Sequence, residues 1–205
     1  MVDLYTQSWA GRLYTEIKLL ILPLREMSEQ LPTRGVILDM GCGFGYVSNY
    51  LSLHSPERMV IANDPEAPRI AVARDTVGNR RNIEFLAIDS RQIDRCDFDG
   101  ASVTDVLHHV PFAEQQALID DLFRKLKPGC RLVIRETDKR FALRYYVFNC
   151  ALEWLLYIGK EKMRLRPAVE WASMFKRAGF EIESVSLNSR WFPYTTCLFV
   201  CRKPG

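Results

Sequence analysis

Apolar positions along the chain switch between two spacings, and the switches outline a series of helices and strands. Leu13, Ile17, Leu20, Ile21 and Leu24 recur at helical spacing, which predicts one amphipathic helix over residues 8–30. Leu31-Pro32-Thr33-Arg34-Gly35 breaks it. Short apolar runs at 36–40, 59–63, 83–87 and 130–135 read as buried strands, and 101–106 as a less apolar one. Helical patterns over 45–53, 67–77 and 113–126 lie between them. Pro68 suits the first turn of its helix, and Lys127-Pro128-Gly129 stops the third. Such alternation predicts an α/β fold, a mostly parallel sheet with helices on both faces.

The ending differs. Residues 141–158 predict a long helix that is apolar all round, followed by the basic stretch 159–167. Residues 168–178 predict a helix that stops at Gly179. Two strands follow at 181–187 and 195–202, joined by a segment too short for a crossover helix, so they should pair antiparallel. No linker divides the chain. Residues 1–205 are expected to form one domain, with an N-terminal helical segment at 1–35 and a helical, substrate-covering insertion at 139–167.

The chemistry concentrates in Val36-Ile37-Leu38-Asp39-Met40-Gly41-Cys42-Gly43-Phe44-Gly45-Tyr46, a strand, a glycine-rich turn and a helix start. Glycines let a backbone turn sharply and come close to a ligand. A dinucleotide site asks for G-x-G-x-x-G, whose third glycine would fall on Tyr46. Asp39 just ahead of the glycines would repel a pyrophosphate, yet it could pair with an ammonium group. Both residues disfavour a nicotinamide reductase and favour S-adenosylmethionine, which carries an ammonium and no phosphate.

These residues resemble class I S-adenosylmethionine-dependent methyltransferases. Asp39-Met40-Gly41-Cys42-Gly43-Phe44-Gly45 is similar to the family's first motif. Asp64 then ends the second strand, where the family holds the ribose hydroxyls, and Asp89 follows the third, where it contacts adenine. Thr104-Asp105-Val106-Leu107-His108-His109-Val110-Pro111 resembles the fourth motif, and Leu126 to Ile134 the turn into strand five. The matches run from about residue 36 to 135, with a weaker one at Ala178-Gly179-Phe180. The resemblance implies a Rossmann-like three-layer sandwich with seven strands, the last antiparallel. It also implies methyl transfer from S-adenosylmethionine, leaving S-adenosylhomocysteine. The cofactor-binding residues expected from it are Asp39, Gly41, Cys42, Gly43, Asp64, Pro65, Asp89, Ser90, Val103 and Thr104. Asn63 departs from it, since many relatives carry glycine there.

Each residue has a plainer alternative. Asp39 could cap a turn, Asp64 could be an acid at a helix start, and Asp89 could be an N-cap. Cys42 should contribute backbone only, since no basic partner lies in the motif. His109 is the candidate general base, with loop shaping as the commoner role for such a residue. Glu136 and Asp138 either touch substrate or cap the next helix. Tyr5, Trp9 and Tyr14 form an aromatic lid or pack in the core.

Charge and composition add little. The 205 residues carry a net charge of +3, too slight to require an anionic partner or to exclude one. No Cys pair has the C-x-x-C spacing of a zinc ligand pair, Cys197 and Cys201 read as strand interior, and no His/Asp/Glu cluster implies a metal. Free cysteines and the lack of signal-peptide features at the N-terminus lead us to expect a cytoplasmic protein. Arg144, Asn149 and Glu153 interrupt the apolar stretch, so it is not expected to span a membrane. With Lys160, Lys162, Arg164 and Arg166 beyond it, residues 141–166 suit a lipid-like or aromatic acceptor, a membrane surface, or a second copy of the chain as a homodimer. No RNA-binding module is appended, and the Asn/Asp-Pro-Pro-Tyr/Phe tetrapeptide of base and glutamine methylation is missing. A small-molecule acceptor is therefore expected and a nucleic-acid partner is not. O- or C-methylation is favoured over N-methylation. The remaining alternative is a catalytically silent S-adenosylmethionine binder that acts through a partner.

Overall fold

The computed structural model describes residues 1–5, 9–141, 163–188 and 196–205, with the side chains of 9–11, 141 and 188 outside the description. The N-terminal helical pattern resolves into two helices, α1 (Trp9–Ile21) and α2 (Leu24–Gln30). The single helix expected over 8–30 breaks because Pro23 lacks an N–H and stands as the N-cap of α2. Then come β1 (Gly35–Met40), α3 (Tyr46–His54), β2 (Arg58–Asn63), α4 (Ala67–Asp75) and β3 (Ile83–Leu86). The second half holds β4 (Phe98–Thr104), α5 (Phe112–Lys125), β5 (Leu126–Thr137), α6 (Ala168–Ala178), β6 (Glu181–Asn188) and β7 (Thr196–Arg202).

The sheet has seven strands in the order β3-β2-β1-β4-β5-β7-β6. β7 runs antiparallel to both β5 and β6, and the other pairings are parallel. Alternate residues feed cores on opposite faces. Leu38, Val103, Ile134 and Phe199 face α5 and α6, where Trp171 and Phe175 are wholly buried. Ile37, Val60, Val133 and Leu198 pack on the other face with Met27, Leu51 and Ile70.

Two strands differ from their sequence pattern. β4 begins at Phe98 rather than 101, because fully buried Phe98 pairs with Leu126 across a register shift before Gly100. It ends at Thr104, where Asp105 turns to φ 56°. β5 begins at Leu126, so the expected stop at Lys127-Pro128-Gly129 is a bulge inside an extended run, with Gly129 at φ 80°.

α2 is anchored by a buried cation that the sequence pattern does not reveal. Arg58 opens β2 and is 1% exposed. It donates to the carbonyls of Ser28 (2.8 Å), Leu31 (3.0 Å) and Pro32 (2.6 Å), and to Ser28 Oγ (2.8 Å). The Leu31 and Pro32 carbonyls lie beyond the last turn of α2, and the Ser28 carbonyl, which the Leu31 N–H also reaches at 3.3 Å, has a lone pair left. Arg58→Met is expected to lower the unfolding free energy by about 2 kcal/mol, the end of α2 regaining water as it frays. Urea denaturation reads this directly; an unchanged midpoint would mean that α2 docks through its apolar contacts alone.

Candidate active site

β1 and β4 lie side by side at the centre of the sheet, and the chain leaves them toward opposite edges. A crevice opens beyond the carboxyl ends of strands at such a switch. The register sets Met40 beside Asn63 and Val103, so the ends of β1, β2 and β4 meet there. A cavity of about 790 Å³ occupies this place, within the usual range for small-molecule sites.

The glycine-rich turn forms one wall. Gly41 and Gly43 both take left-handed backbone, at φ 68° and 55°. Their surroundings differ. A Cβ on Gly41 would strike the side chain of Val106, whereas one on Gly43 would meet no atom within 4 Å. Gly41 is thus needed for close packing against the loop after β4, and Gly43 leaves room open to the cavity.

Asp64 holds this turn in place. Its Oδ2 accepts the Gly43 N–H at 2.9 Å and its Oδ1 the Glu66 N–H at 2.9 Å. Both oxygens keep lone pairs for a further donor. The neighbouring Asn63 donates to the Ile88 carbonyl at 3.1 Å, while its Oδ1 has no partner among the described residues. Asn63, Asp64 and Pro65 all line the cavity. The side chain that departs from the family pattern therefore adds a buried acceptor beside Asp64.

Asp39 lies under the turn and is 1% exposed. Ser102 Oγ donates to one oxygen at 2.7 Å and Ser48 Oγ to the other. Burial raises this carboxyl to about 6, against the opposing effect of the two hydroxyls. Asp89 has the geometry of its plainer alternative. It caps the short turn Ser90–Gln92 and accepts from the Arg91 N–H and guanidinium. The Arg91 hydrogen bonds hold its carboxyl below the usual range. Asp89 and Ser90 still line the cavity, as do Gly41, Cys42 and Thr104. Val103 does not: its side chain is wholly buried in the core under α5 and α6. Its neighbour Met40, paired with it across β1 and β4, does line the cavity.

The loop after β4 is shaped from below. Glu136 Oε1 accepts the backbone N–H groups of Val106 (3.1 Å) and Leu107 (2.7 Å), and Oε2 lies 2.6 Å from His108 Nδ1. Both side chains are buried. Burial alone would push His108 down, but the Glu136 carboxylate outweighs it and the net effect is a raised pKa. Asp105 pairs with the buried Arg135. Burial would raise its carboxyl, yet Arg135 holds it below the usual range. The loop is also fastened from above. The Arg164 N–H donates to the His108 carbonyl, and its guanidinium to the His109 carbonyl, each at 2.7 Å. His109 is one of the residues that line the cavity.

Glu136 therefore supports the loop. Asp138, fully buried, caps the turn Lys139–Phe141 through Arg140. Neither lines the cavity. Among the aromatic residues, Tyr14 and Tyr46 line it, while Tyr5 is buried against Tyr46 and accepts from Asn49. The helix expected over 141–158 lies outside the described residues, as do Lys160 and Lys162. Arg166 donates to Gln115 and Glu170 and lies over the rings of Phe112 and Trp171. With Arg164 on His109, the two described arginines of the basic stretch are turned onto the protein itself. No described helix is long and apolar enough to cross a membrane.

The residues present fit S-adenosylmethionine. The lining carries the carboxylates Asp39, Asp64 and Asp89 for a ligand with positive charge and hydroxyls, and Gly43 leaves the space for its close approach. Comparison with known proteins agrees. A family model described as a methyltransferase domain matches residues 12–185. The ubiquinone biosynthesis O-methyltransferase of Xylella fastidiosa strain 9a5c is 27% identical over 176 residues, which cover 82% of this chain and 70% of that protein. The match covers 65% of the same enzyme from strain M23, so the chain spans about two-thirds of the length of these relatives. The demethylmenaquinone methyltransferase of Thermus thermophilus is 31% identical over 109 residues, 53% of this chain and 49% of that one. Among solved structures, the Burkholderia thailandensis 1,6-didemethyltoxoflavin-N1-methyltransferase with bound 1,6-didemethyltoxoflavin and S-adenosylhomocysteine superposes with a TM-score of 0.69. It is 20% identical, and the match covers 93% of this chain and 82% of that one. The chain belongs to the methyltransferase-domain family, the class I S-adenosylmethionine-dependent methyltransferases.

Proposed function

We propose that the protein methylates a small, weakly polar acceptor of aromatic or lipid-like character, at oxygen or carbon. The observation that carries this reading is the cavity that runs from the glycine-rich turn to Thr104 and His109. Tyr14, Leu22, Val106, Val110 and Met163 give the wall apolar surface beside the polar Lys18, Asp105 and His109. Apolar surface next to a small number of polar groups suits such a molecule. Relatives named for ubiquinone and demethylmenaquinone methylation support the same class.

Bound at the turn, S-adenosylmethionine supplies a methyl group activated by its sulfonium. The protein's part is mostly placement. Gly43 admits the ligand against the backbone, and Asp64 accepts its hydroxyls. Asp39 sets negative charge beneath its ammonium. Thr104, at the end of β4, and His109 flank the place where acceptor and methyl meet. The apolar wall excludes water, and in-line placement of an acceptor that is already nucleophilic removes most of the barrier.

His109→Ala is then expected to lower turnover less than tenfold with S-adenosylhomocysteine affinity intact. A loss of about 10²–10⁴ would instead make the imidazole a general base. The function itself is tested with labelled S-adenosylmethionine against quinols, phenols, fatty acyl compounds and small polar acids. Label in the quinol or phenol arm supports the reading. Transfer confined to small polar acids would overturn the acceptor class, and tight cofactor binding with no transfer to any arm would favour a silent binder.

A further inference from the structure

The sheet gives the cavity a direction. β3, β2, β1 and β4 stand side by side in that order, so the residues after β2 and β3 mark one end and those at the ends of β1 and β4 the other. Asp64 and Asp89, following β2 and β3, belong to the first end. Asp39 in β1, with Thr104 and Asp105 at the end of β4, belongs to the second. α1 lies over this second end. Its Tyr14 ring stands edge-on to Phe44 of the glycine-rich turn, 6.4 Å between centres. Thr15, fully buried, shares a 3.1 Å hydrogen bond with Tyr46 at the start of α3. Lys18 follows Tyr14 by one helical turn on the same face and lines the cavity. Its Nζ lies 5.7 Å from the centre of the Tyr14 ring, and its charge acts on the Asp105 carboxyl. Lys18 is thus placed between the glycine-rich turn and the end of β4.

The amino-acid part of S-adenosylmethionine is a zwitterion, and both of its charges lose water on binding. Asp39 answers the ammonium. The carboxylate needs a cation, since Asp39 and Asp105 at this end would repel it. Other cations of the wall serve elsewhere. Arg69 and Arg91 follow β2 and β3, and Arg91 pairs with Asp89 and Glu114. Arg164 donates to the His109 carbonyl. Arg135 lies buried against Asp105. Lys18 is half-buried and has no ion pair or hydrogen bond among the described residues.

We infer that Lys18 holds the carboxylate of the cofactor's amino-acid end, so that α1 supplies a cofactor-binding residue from outside the stretch that resembles the family motifs. This rests on the cavity at the glycine-rich turn being the cofactor site. Asp39 and Lys18 then match the two charges of the zwitterion, one each. A half-buried ammonium gains more from a carboxylate than a solvated one does, because less water screens the pair. A ligand that lacks the carboxylate gains nothing from Lys18, so the site selects against decarboxylated forms of the cofactor.

Calorimetry of the full chain with S-adenosylhomocysteine and with its decarboxylated analogue, which keeps the amine, tests this. The unaltered protein should bind S-adenosylhomocysteine about tenfold or more tighter than the analogue. In Lys18→Met the affinity for S-adenosylhomocysteine should fall about tenfold or more and that for the analogue less than twofold, so that the two converge. Lys18→Arg keeps the charge and should keep most of the preference. Equal affinity for the two ligands in the unaltered protein overturns the assignment without any variant. Equal losses for both ligands in Lys18→Met would make the residue part of the packing of α1, and no loss for either would make it a solvated lysine; each outcome overturns the assignment and leaves the cofactor site where it is. Failure of S-adenosylhomocysteine to bind the unaltered protein would remove the site itself.

Discussion

Gly43→Val is expected to weaken S-adenosylmethionine and S-adenosylhomocysteine binding by at least about 100-fold, close to 3 kcal/mol. The Cβ would meet no protein atom, so the two added methyl groups must enter the space that lies open to the cavity. A branched residue at φ 55° also costs about 1–2 kcal/mol of folding energy. Gly43→Ala carries most of that backbone cost with a single added carbon, and so separates the two effects. Thermal unfolding reports the strain, and calorimetry reports the binding. Gly41→Ala should behave in the opposite way, harming stability first, because its Cβ runs into Val106. A folded Gly43→Val protein with unaltered affinity would place the cofactor elsewhere.

That contrast between two glycines two residues apart marks the limit of what the sequence discloses. The motif announces a strand, a turn and a helix, and the structure has them at β1 and α3. The strand–helix alternation likewise announces a doubly covered parallel sheet, since apolar runs of strand length between helical periods have few other ways to bury both faces. The antiparallel end was legible from the short 188–194 connection. Pattern does not say which glycine packs against protein and which faces the ligand, because that depends on Val106, more than 60 positions away.

The polar interior was the least legible part. Arg58, Glu136 and His108 are charged or titratable residues that composition alone would send to the surface. Each is buried because it meets a need created by the fold: Arg58 the carbonyls at the end of α2, Glu136 the N–H groups of the loop after β4, and His108 the second oxygen of Glu136. These needs arise only when distant segments meet, so no local spacing signals them. The acids show the same thing in another form. The sequence offers Asp64 and Asp89 each a ligand contact and a structural role, and the structure has each satisfying backbone N–H groups, Asp89 as the N-cap that was its alternative. For Asp64 the two roles are compatible, since a carboxylate that fixes the Gly43 amide also orients its own remaining lone pairs.

Asp39 is where stability and binding pull in opposite directions. A carboxyl raised to about 6 is mostly ionised at neutral pH, and the fold bears the cost of keeping that charge out of water. The folded protein holds the proton more tightly than the unfolded chain does. Stability from this group is therefore present at low pH and is lost as pH rises from the ordinary aspartate value of 3.8 through about 6. Asp39→Asn removes the charge and keeps the shape. Its amide can still accept from one serine and donate to the other, because a hydroxyl can rotate to accept. In the cofactor-free protein at neutral pH, Asp39→Asn is expected to raise the unfolding free energy by about 2–3 kcal/mol and to flatten its rise between pH 6 and 4. S-adenosylhomocysteine affinity should fall about tenfold or more in the same variant, since the ammonium loses the negative charge beneath it. Paired denaturation curves and calorimetry distinguish the outcomes. Lower stability with unchanged affinity would make Asp39 a structural cap for Ser48 and Ser102, and higher stability with unchanged affinity would leave its buried charge without a function at the cofactor.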